Sequence, residues 1–250
     1  MFLKKDYMTV YSIKNHFLFL IMSLYKMHAA EILDVNDLNK AAVEYVGNTN
    51  PKNGRMQLEL IKREGLKNTD FVLEIGCGAL IAGIPIISFL EVGHYVGIDP
   101  NKWLIDSSLQ VEENKKIIHE KKPLFLFNQS FDATSVTLKF DYILAHSVMS
   151  HAPLWQLRLF LENCAKVLKD NGKVLFSLRL TDANPYDGLG KKKESTTTEW
   201  QYPGNTFFDR STVIKEASKW FSIIEQKQLY TELIMETDKG AFHEWFVVTK

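Results

Sequence analysis

The sequence has few of the features that assign a protein to a specialised class. Among its 250 residues there are only two cysteines, Cys77 and Cys164, so a disulfide framework is excluded and a reduced, cytoplasmic setting is expected. Lys plus Arg and Asp plus Glu both number 30, so the formal net charge is zero. Because phosphate-backbone binding depends on clustered Lys and Arg, we expect no nucleic-acid partner. The one basic run, 191–193, is interpreted as a solvated loop.

Long apolar runs are also missing. The strongest run, Phe17 to Leu24, is far shorter than the roughly 20 residues that a membrane-spanning helix needs. A secretory signal is the alternative for this segment, but no small-residue cleavage site follows it. We therefore expect no stable membrane span. The run is interpreted as part of an N-terminal helix or an over-extended start, with Met22 and Met27 as alternative starts.

Short apolar runs alternate with helical patterns through most of the chain. The runs lie at 71–75, 95–98, 124–127, 142–145 and 173–178, and the helical patterns at about 82–90, 101–121 and 153–169. Apolar runs without polar alternation suit strands buried on both faces. After a helix at about 209–219, two closely linked runs at 222–230 and 242–249 predict an antiparallel pair. The predicted fold class is α/β: a doubly wound, mainly parallel seven-stranded sheet with an antiparallel C-terminal hairpin.

The pattern divides the chain into two parts. Residues 1–50 are predicted to be a helical N-terminal appendage, which ends in a loop rich in Gly, Asn and Pro. Residues 51–250 are predicted to form the main domain, which begins with a helix from about Gly54 to Glu64. Neither the role of the appendage nor the oligomeric state follows from the sequence.

A ligand site is indicated where the first two predicted strands end. Gly76-Cys77-Gly78 follows the first strand, and Asp99 follows the second. Glycines let a ligand approach the backbone closely, and an acid at the next strand end can accept both hydroxyls of a ribose. The spacing from Gly78 to Asp99 suits that task, so the stretch predicts an adenosine-binding half.

The kind of adenosine ligand depends on the neighbouring residues. A dinucleotide fingerprint needs a third glycine three residues after Gly78, where Ile81 stands instead, and there is no Gly-Lys-Ser/Thr phosphate loop. Glu74 lies two residues before Gly76. A carboxylate at that point is unfavourable beside a pyrophosphate but favourable beside a cationic amino group. S-adenosylmethionine has this cation, an adenosine and no phosphate.

Five motifs in order resemble the class I S-adenosylmethionine-dependent methyltransferases. They are VLEIGCG (Val72–Gly78), GIDP (Gly97–Pro100), FNQSFD (Phe127–Asp132), FDYILAHSVMSHAP (Phe140–Pro153) and AKVLKDNGKVLFSL (Ala165–Leu178), in which Asn171-Gly172 is the expected turn. GRMQLELIKREGL (Gly54–Leu66) is similar to the helix that precedes the first strand in many members. The resemblance covers about residues 52–250.

The resemblance implies an S-adenosylmethionine site at the ends of the first three strands. Its residues would be Glu74, Gly76, Cys77, Gly78, Asp99, Pro100, Ser130 and Phe131. Glu74 would lie at the amino end of the cofactor, Asp99 would hold the ribose, and Ser130 and Phe131 would flank the adenine. Ser130 is a departure, because many members place an acid there that bonds the adenine amino group.

Two histidines follow the fourth strand, where the resemblance places the methyl group. Methyl transfer is an in-line displacement, so the protein must align the acceptor and, for a hydroxyl, remove its proton. His146 and His151 are the candidate bases, since an imidazole titrates near neutral pH. The alternative is that they only pack or cap. No metal ligand set is expected.

The acceptor is expected to be a small molecule. Tyr186, Trp200 and Tyr202 on the loop 181–207 are the candidate substrate-binding residues, with ordinary loop anchoring as the alternative. Asn184-Pro185-Tyr186 follows the fifth strand rather than the fourth, where adenine methylation would need it, and is interpreted as a turn.

The sequence therefore favours methyl transfer to a hydroxyl of a sugar, glycolipid precursor or secondary metabolite over transfer to nitrogen. The alternatives are an NAD(P)-dependent oxidoreductase with a degenerate glycine loop and a non-catalytic S-adenosylmethionine-binding protein.

Overall fold

The apolar runs of the sequence form the strands of one sheet. The computed structural model describes residues 35–46, 52–181, 206–228, 230 and 243–250. Their strands are β1 (Val72–Ile75), β2 (Tyr95–Ile98), β3 (Leu124–Leu126), β4 (Phe140–Ala145), β5 (Leu168–Leu180), β6 (Phe207–Phe208), β7 (Ile223–Gln226) and β8 (Glu244–Thr249). Their helices are α1 (Val35–Tyr45), α2 (Lys52–Arg63), α3 (Gly83–Phe89), α4 (Lys102–Ser108), α5 (Glu112–Lys121), α6 (Leu154–Val167) and α7 (Arg210–Ala217), with a 3₁₀ turn at Met149–His151.

The sheet is mainly parallel, and its strand order is β3-β2-β1-β4-β5-β8-β7, with β6 paired to β5 outside this path. The pairs from β3 to β5 are parallel, whereas β8 runs antiparallel to both β5 and β7. The predicted fold class, with its antiparallel C-terminal hairpin, is confirmed. The strand order reverses between β1 and β4, and ligands of such sheets bind at that point, outside the carboxyl ends of the strands.

Each face of the sheet is covered by its own set of helices. Leu73 and Ile75 of β1 lie in a core shared with α6 and α7, and Val72 lies in a second core shared with α2 and α3. Side chains alternate along a strand, so Glu74 faces the α2 and α3 side. The same alternation along β4 places His146 on the side of Leu144, which belongs to the second core.

Helix α1 packs against the loop that follows β1. Its Ala42 contacts Ala79 and Leu104, and Tyr45 meets Trp103 edge to face with ring centroids 5.2 Å apart. Beyond the helix, Val46 lies so close that a Cβ on Gly78 would be 3.2 Å from its Cγ1. The part of the N-terminal segment that is described therefore covers the glycine loop.

Two local predictions were wrong. Asn171-Gly172 is not a turn, because β5 begins at Leu168 and continues through both residues, with a register shift against β4 between Phe140 and Tyr142. Glycine at position 172 lets the backbones of β5 and β4 approach closely, since a Cβ there would lie 3.0 Å from the carbonyl oxygen of Phe140. The single helix expected over 101–121 is broken into α4 and α5.

The helices are short. The longest helix of the described residues, α6, has 14 residues, and none in these ranges is both long and apolar enough to cross a membrane.

Candidate active site

The loop after β1 is held open by backbone conformation. Gly76 and Gly78 have φ values of +72° and +49°, which residues with a side chain rarely adopt. The N–H groups of Gly76 and Cys77 both donate to the carbonyl of Ile98, at 2.8 and 3.1 Å, and so tie the loop to the end of β2. A Cβ on Gly76 would lie 2.3 Å from Cγ2 of Val148. The loop therefore forms a cradle of bare backbone between the ends of β1, β2 and β4.

Asp99 is joined to this loop directly. Its Oδ2 accepts the N–H of Gly78 at 3.0 Å, and its Oδ1 accepts the N–H of Asn101 at 2.8 Å. The residue is 6% exposed. Burial raises the pKa of the carboxyl, while the two backbone donors oppose that rise. A carboxylate oxygen has more than one lone pair, so Asp99 retains capacity to accept hydroxyl donors.

Glu74 lies next to Asp99 on the α2 and α3 side of the sheet. Its Oε2 accepts the hydroxyl of Tyr95 at 2.6 Å, and the residue is 5% exposed. Burial raises the pKa of Glu74 to about 8, with a further rise from Asp99, against the lowering effect of the Tyr95 bond. Tyr95 was missed from the sequence because it begins β2, four residues before the strand end where ligand residues were sought. The signal that the sequence did contain was Glu74 itself, an acid in a strand predicted to be buried, with no cationic residue in its own motif to pair with.

Cys77, after β1, is buried, whereas Pro100, after β2, is exposed. The Cys77 sulfur lies under the loop, where a Cβ on Gly97 would be 2.9 Å from Sγ. Burial raises the pKa of this thiol well above its ordinary value, so it stays protonated. Pro100 is exposed next to Asp99.

Ser130 and Phe131 follow β3 with their side chains already engaged. The Ser130 hydroxyl donates to Oδ1 of Asn128 at 3.1 Å, and its carbonyl accepts from Asn163 at 2.7 Å. Phe131 has a φ of +58° and packs edge to face on Phe160 in the main core. The Phe131 ring therefore lies in the main core.

His146 follows β4 with an unused nitrogen. The imidazole stacks on the indole of Trp245, with centroids 5.3 Å apart and planes 4° from parallel. Its Nε2 and the indole Nε1 are buried and have no hydrogen-bond partner. Burial lowers the pKa of His146 to about 4, so the imidazole is neutral above about pH 5. A neutral imidazole with a free nitrogen can accept a proton.

His243 is the functional candidate that the sequence analysis missed. It precedes β8 and is 2% exposed, with its ring centroid 5.5 Å from that of His146. Its Nε2 is 3.5 Å from Oγ of Ser147, and its Nδ1 is 3.4 Å from Oγ of Ser177. A signal existed: an antiparallel strand begins at the edge where its parallel neighbours end, so His243 had to lie beside the end of β5.

Of the remaining predicted residues, one lies near this group and the others lie outside the described residues. His151 ends the 3₁₀ turn after His146 and is half-buried. Tyr186, Trp200 and Tyr202, the expected substrate-binding residues, lie outside the described residues. Within the described ranges, no group of three or more His, Cys, Asp and Glu side chains could hold a metal ion.

The candidate site thus combines a glycine loop with two buried acids at the switch point of the sheet. Residues 73–174 match the model of the family described as a methyltransferase domain. The prediction of a methyltransferase domain is thereby confirmed for this part of the chain.

Among curated proteins, the chain is 30% identical over 108 residues to an uncharacterised protein of Methanocaldococcus jannaschii. The match covers 43% of this chain, which spans only 28% of the length of that relative.

Solved structures share the fold at low sequence identity. A TehB-like S-adenosylmethionine-dependent methyltransferase from Corynebacterium glutamicum has a TM-score of 0.52 and 16% identity, and the match covers 91% of this chain and 99% of that one. The magnesium protoporphyrin IX methyltransferase from Synechocystis, with S-adenosylhomocysteine bound, has a TM-score of 0.52 and 12% identity, with 80% and 82% covered. A phosphoethanolamine N-methyltransferase from Haemonchus contortus has a TM-score of 0.56 and 18% identity, with 88% and 61% covered.

Proposed function

We propose that the protein transfers the methyl group of S-adenosylmethionine to a hydroxyl of a small-molecule acceptor. The observation that carries the proposal is the pair of buried carboxyl groups, Glu74 and Asp99, on either side of the glycine cradle. The cofactor would lie on Glu74, Gly76, Cys77, Gly78, Asp99, Pro100, Ser130 and Phe131.

The chemistry of these groups fits S-adenosylmethionine better than a dinucleotide. When ionised, Glu74 is unfavourable beside a pyrophosphate but can hold a cationic amino group, and Asp99 can accept ribose hydroxyls. The loop keeps bare backbone at Gly76, because a Cβ there would clash with Cγ2 of Val148. An NAD(P)-dependent oxidoreductase is therefore disfavoured.

The residues after β4 would align the acceptor and take its proton. When bound, the cofactor supplies an already activated methyl group, so alignment is the main task of the protein. We assign the base to His146, because its Nε2 is free and its low pKa leaves the imidazole neutral at physiological pH. His151 is the second candidate. Tyr186, Trp200 and Tyr202 would border the acceptor.

The domain boundaries belong to the same proposal. Residues 51–250 would form the catalytic domain, and residues 1–50 an appendage whose Val46, just after helix α1, lies over Gly78. The names of similar structures, which include a phosphoethanolamine and a porphyrin methyltransferase, support a small-molecule acceptor.

Titration calorimetry with S-adenosylmethionine, S-adenosylhomocysteine and NADH tests the cofactor. We expect the first two to bind and NADH not to bind. Tight NADH binding, with neither of the others bound at millimolar concentration, would overturn the proposal.

A screen of hydroxyl and amine acceptors, read by S-adenosylhomocysteine formation, then tests the reaction. Transfer to a hydroxyl compound is expected, and transfer only to amines would correct the acceptor class. Cofactor binding without transfer to any acceptor would favour a non-catalytic binding protein.

A further inference from the structure

Ser147 is a strained residue at the centre of the candidate site. Its φ of +59° is unusual for a residue with a side chain. It joins His146, the assigned base, to Val148, which packs against the Gly76 cradle. Such conformations persist only where surrounding contacts hold them. The contacts that hold Ser147 are therefore contacts that position both halves of the site.

The backbone of Ser147 is held from β5. Its N–H donates to Oγ of Ser177 at 2.8 Å, and its carbonyl accepts the hydroxyl of Ser150 at 3.0 Å. The Ser150 hydroxyl thus donates its single proton to this carbonyl. In the contact between the Ser147 and Ser150 hydroxyls, at 3.3 Å, Ser147 must be the donor.

This assignment fixes the protonation of His243. Because Ser147 has given its proton to Ser150, the 3.5 Å contact between Ser147 Oγ and His243 Nε2 requires the imidazole to donate. A neutral imidazole has one N–H, so Nδ1 is bare and accepts the hydroxyl of Ser177 at 3.4 Å. The circuit closes, since Ser177 Oγ in turn accepts the N–H of Ser147.

The surroundings of His243 favour the neutral form. The ring is buried, and the groups that act on its charge are His146 on β4, His151 on the 3₁₀ turn and Arg179 on β5. Burial first, and then these neighbours, hold the pKa of His243 far below its ordinary value.

We propose that His243 is a positioning residue: as the neutral Nε2–H tautomer it holds the Ser147 hydroxyl, and so fixes the turn that carries His146 and Val148 against the cofactor cradle. The inference rests on the proposed function for the role of His146 and of the cradle. The hydrogen-bond circuit rests on the contacts alone.

The tautomer is measured by nitrogen-15 correlation spectra of histidine-labelled protein. We expect His243 to carry its proton on Nε2 and to stay neutral from about pH 5 to 8. A proton on Nδ1, or a charged ring at neutral pH, would overturn the inference.

Two amide variants separate the two ring nitrogens. His243→Gln places an amide donor near Nε2 and should keep the Ser147 contact, whereas His243→Asn reaches only toward Ser177. With S-adenosylhomocysteine as the probe, affinity should fall about three- to tenfold in His243→Asn and change less than about twofold in His243→Gln. His119→Gln is the matched control and should not change the affinity for S-adenosylhomocysteine. Equal losses in the Gln and Asn variants would contradict the role of Nε2.

Ser147→Ala tests the other end of the same contact. It should cause the loss seen in His243→Asn, and the double variant should lose no more than either single variant. Additive losses would overturn the inference, and Ser147→Ala serves alone if His243→Asn does not fold. If wild-type protein fails to bind S-adenosylhomocysteine, the proposed function fails, and the tautomer then decides the His243 assignment.

Discussion

At the scale of the residue, Asp99 joins ligand binding to loop geometry. It accepts two backbone N–H groups in the protein itself and would accept the ribose hydroxyls in addition. Asp99→Ala should weaken S-adenosylhomocysteine binding at least tenfold, because each charge-assisted bond contributes about 1.5–3 kcal/mol. Calorimetry measures the loss. Asp106→Ala, which removes an exposed acid on α4, is the control. Unchanged affinity in a folded Asp99→Ala protein would place the ribose elsewhere.

Glu74 gives the molecule a pH dependence of stability. Its folded pKa of about 8 lies above the ordinary 4.5 of the unfolded chain, so between these values the folded protein retains a proton that the unfolded chain has lost. The free energy of unfolding should therefore fall as pH rises from about 4.5 to 8 and then level off. Glu74→Gln should lack this fall and gain up to a few kcal/mol over wild type at pH 8.

Urea unfolding at several pH values across that window measures the effect. Glu59→Gln, an exposed change on α2, should leave the wild-type profile unaltered. Parallel profiles for wild type and Glu74→Gln would show that Glu74 ionises normally in the folded state. A cationic ligand group favours the ionised form, so cofactor binding near pH 7 should also release a proton to the buffer.

At the scale of the element, Gly54 of α2 packs tightly against the loop that follows β1. A Cβ on Gly54 would lie 1.9 Å from the carbonyl oxygen of Ile81. An open helix position gains about 1 kcal/mol from Gly→Ala. Here the close contact with Ile81 outweighs that gain, and Gly54→Ala should lower the free energy of unfolding by about 1–3 kcal/mol. Thermal unfolding gives the stability, and a stabilised variant would show that α2 does not touch the loop. Gly93→Ala, with positive φ but open space, isolates backbone strain.

The elements also show what the sequence could and could not predict. Asp99 was predicted to lie beside the glycine loop because parallel strands end at one edge, so chain position alone places such residues together. The bond from Tyr95 to Glu74 depends on side-chain reach beneath the loop, which no periodicity records. Asn171-Gly172 has the composition of a turn, but it lies within β5, in an irregular stretch between the pairs Phe140–Leu168 and Tyr142–Lys173. The break between α4 and α5 has no Gly or Pro to signal it.

At the scale of the whole molecule, ligand binding at the strand ends should stabilise the entire sheet. S-adenosylhomocysteine at about 100 times its Kd should add about 2.7 kcal/mol and raise Tm by about 5–10 °C in a chain of this size. Asp99→Ala at the same ligand concentration should show a smaller rise. Scanning calorimetry measures both. Binding without any rise in Tm would mean that the ligand does not bind the cooperative unit.

The position of β8 near the end of the sequence determines when the sheet can be completed during synthesis. It is the last described strand to leave the ribosome, yet it lies inside the sheet, between β5 and β7. Until residues 227–243 have been translated, which takes on the order of seconds, β7 lacks β8, its partner among the described strands. The edge of β5 is open for the same interval. His243 and Trp245 arrive with β8, so β1 to β5 are synthesised before the two rings that lie beside His146.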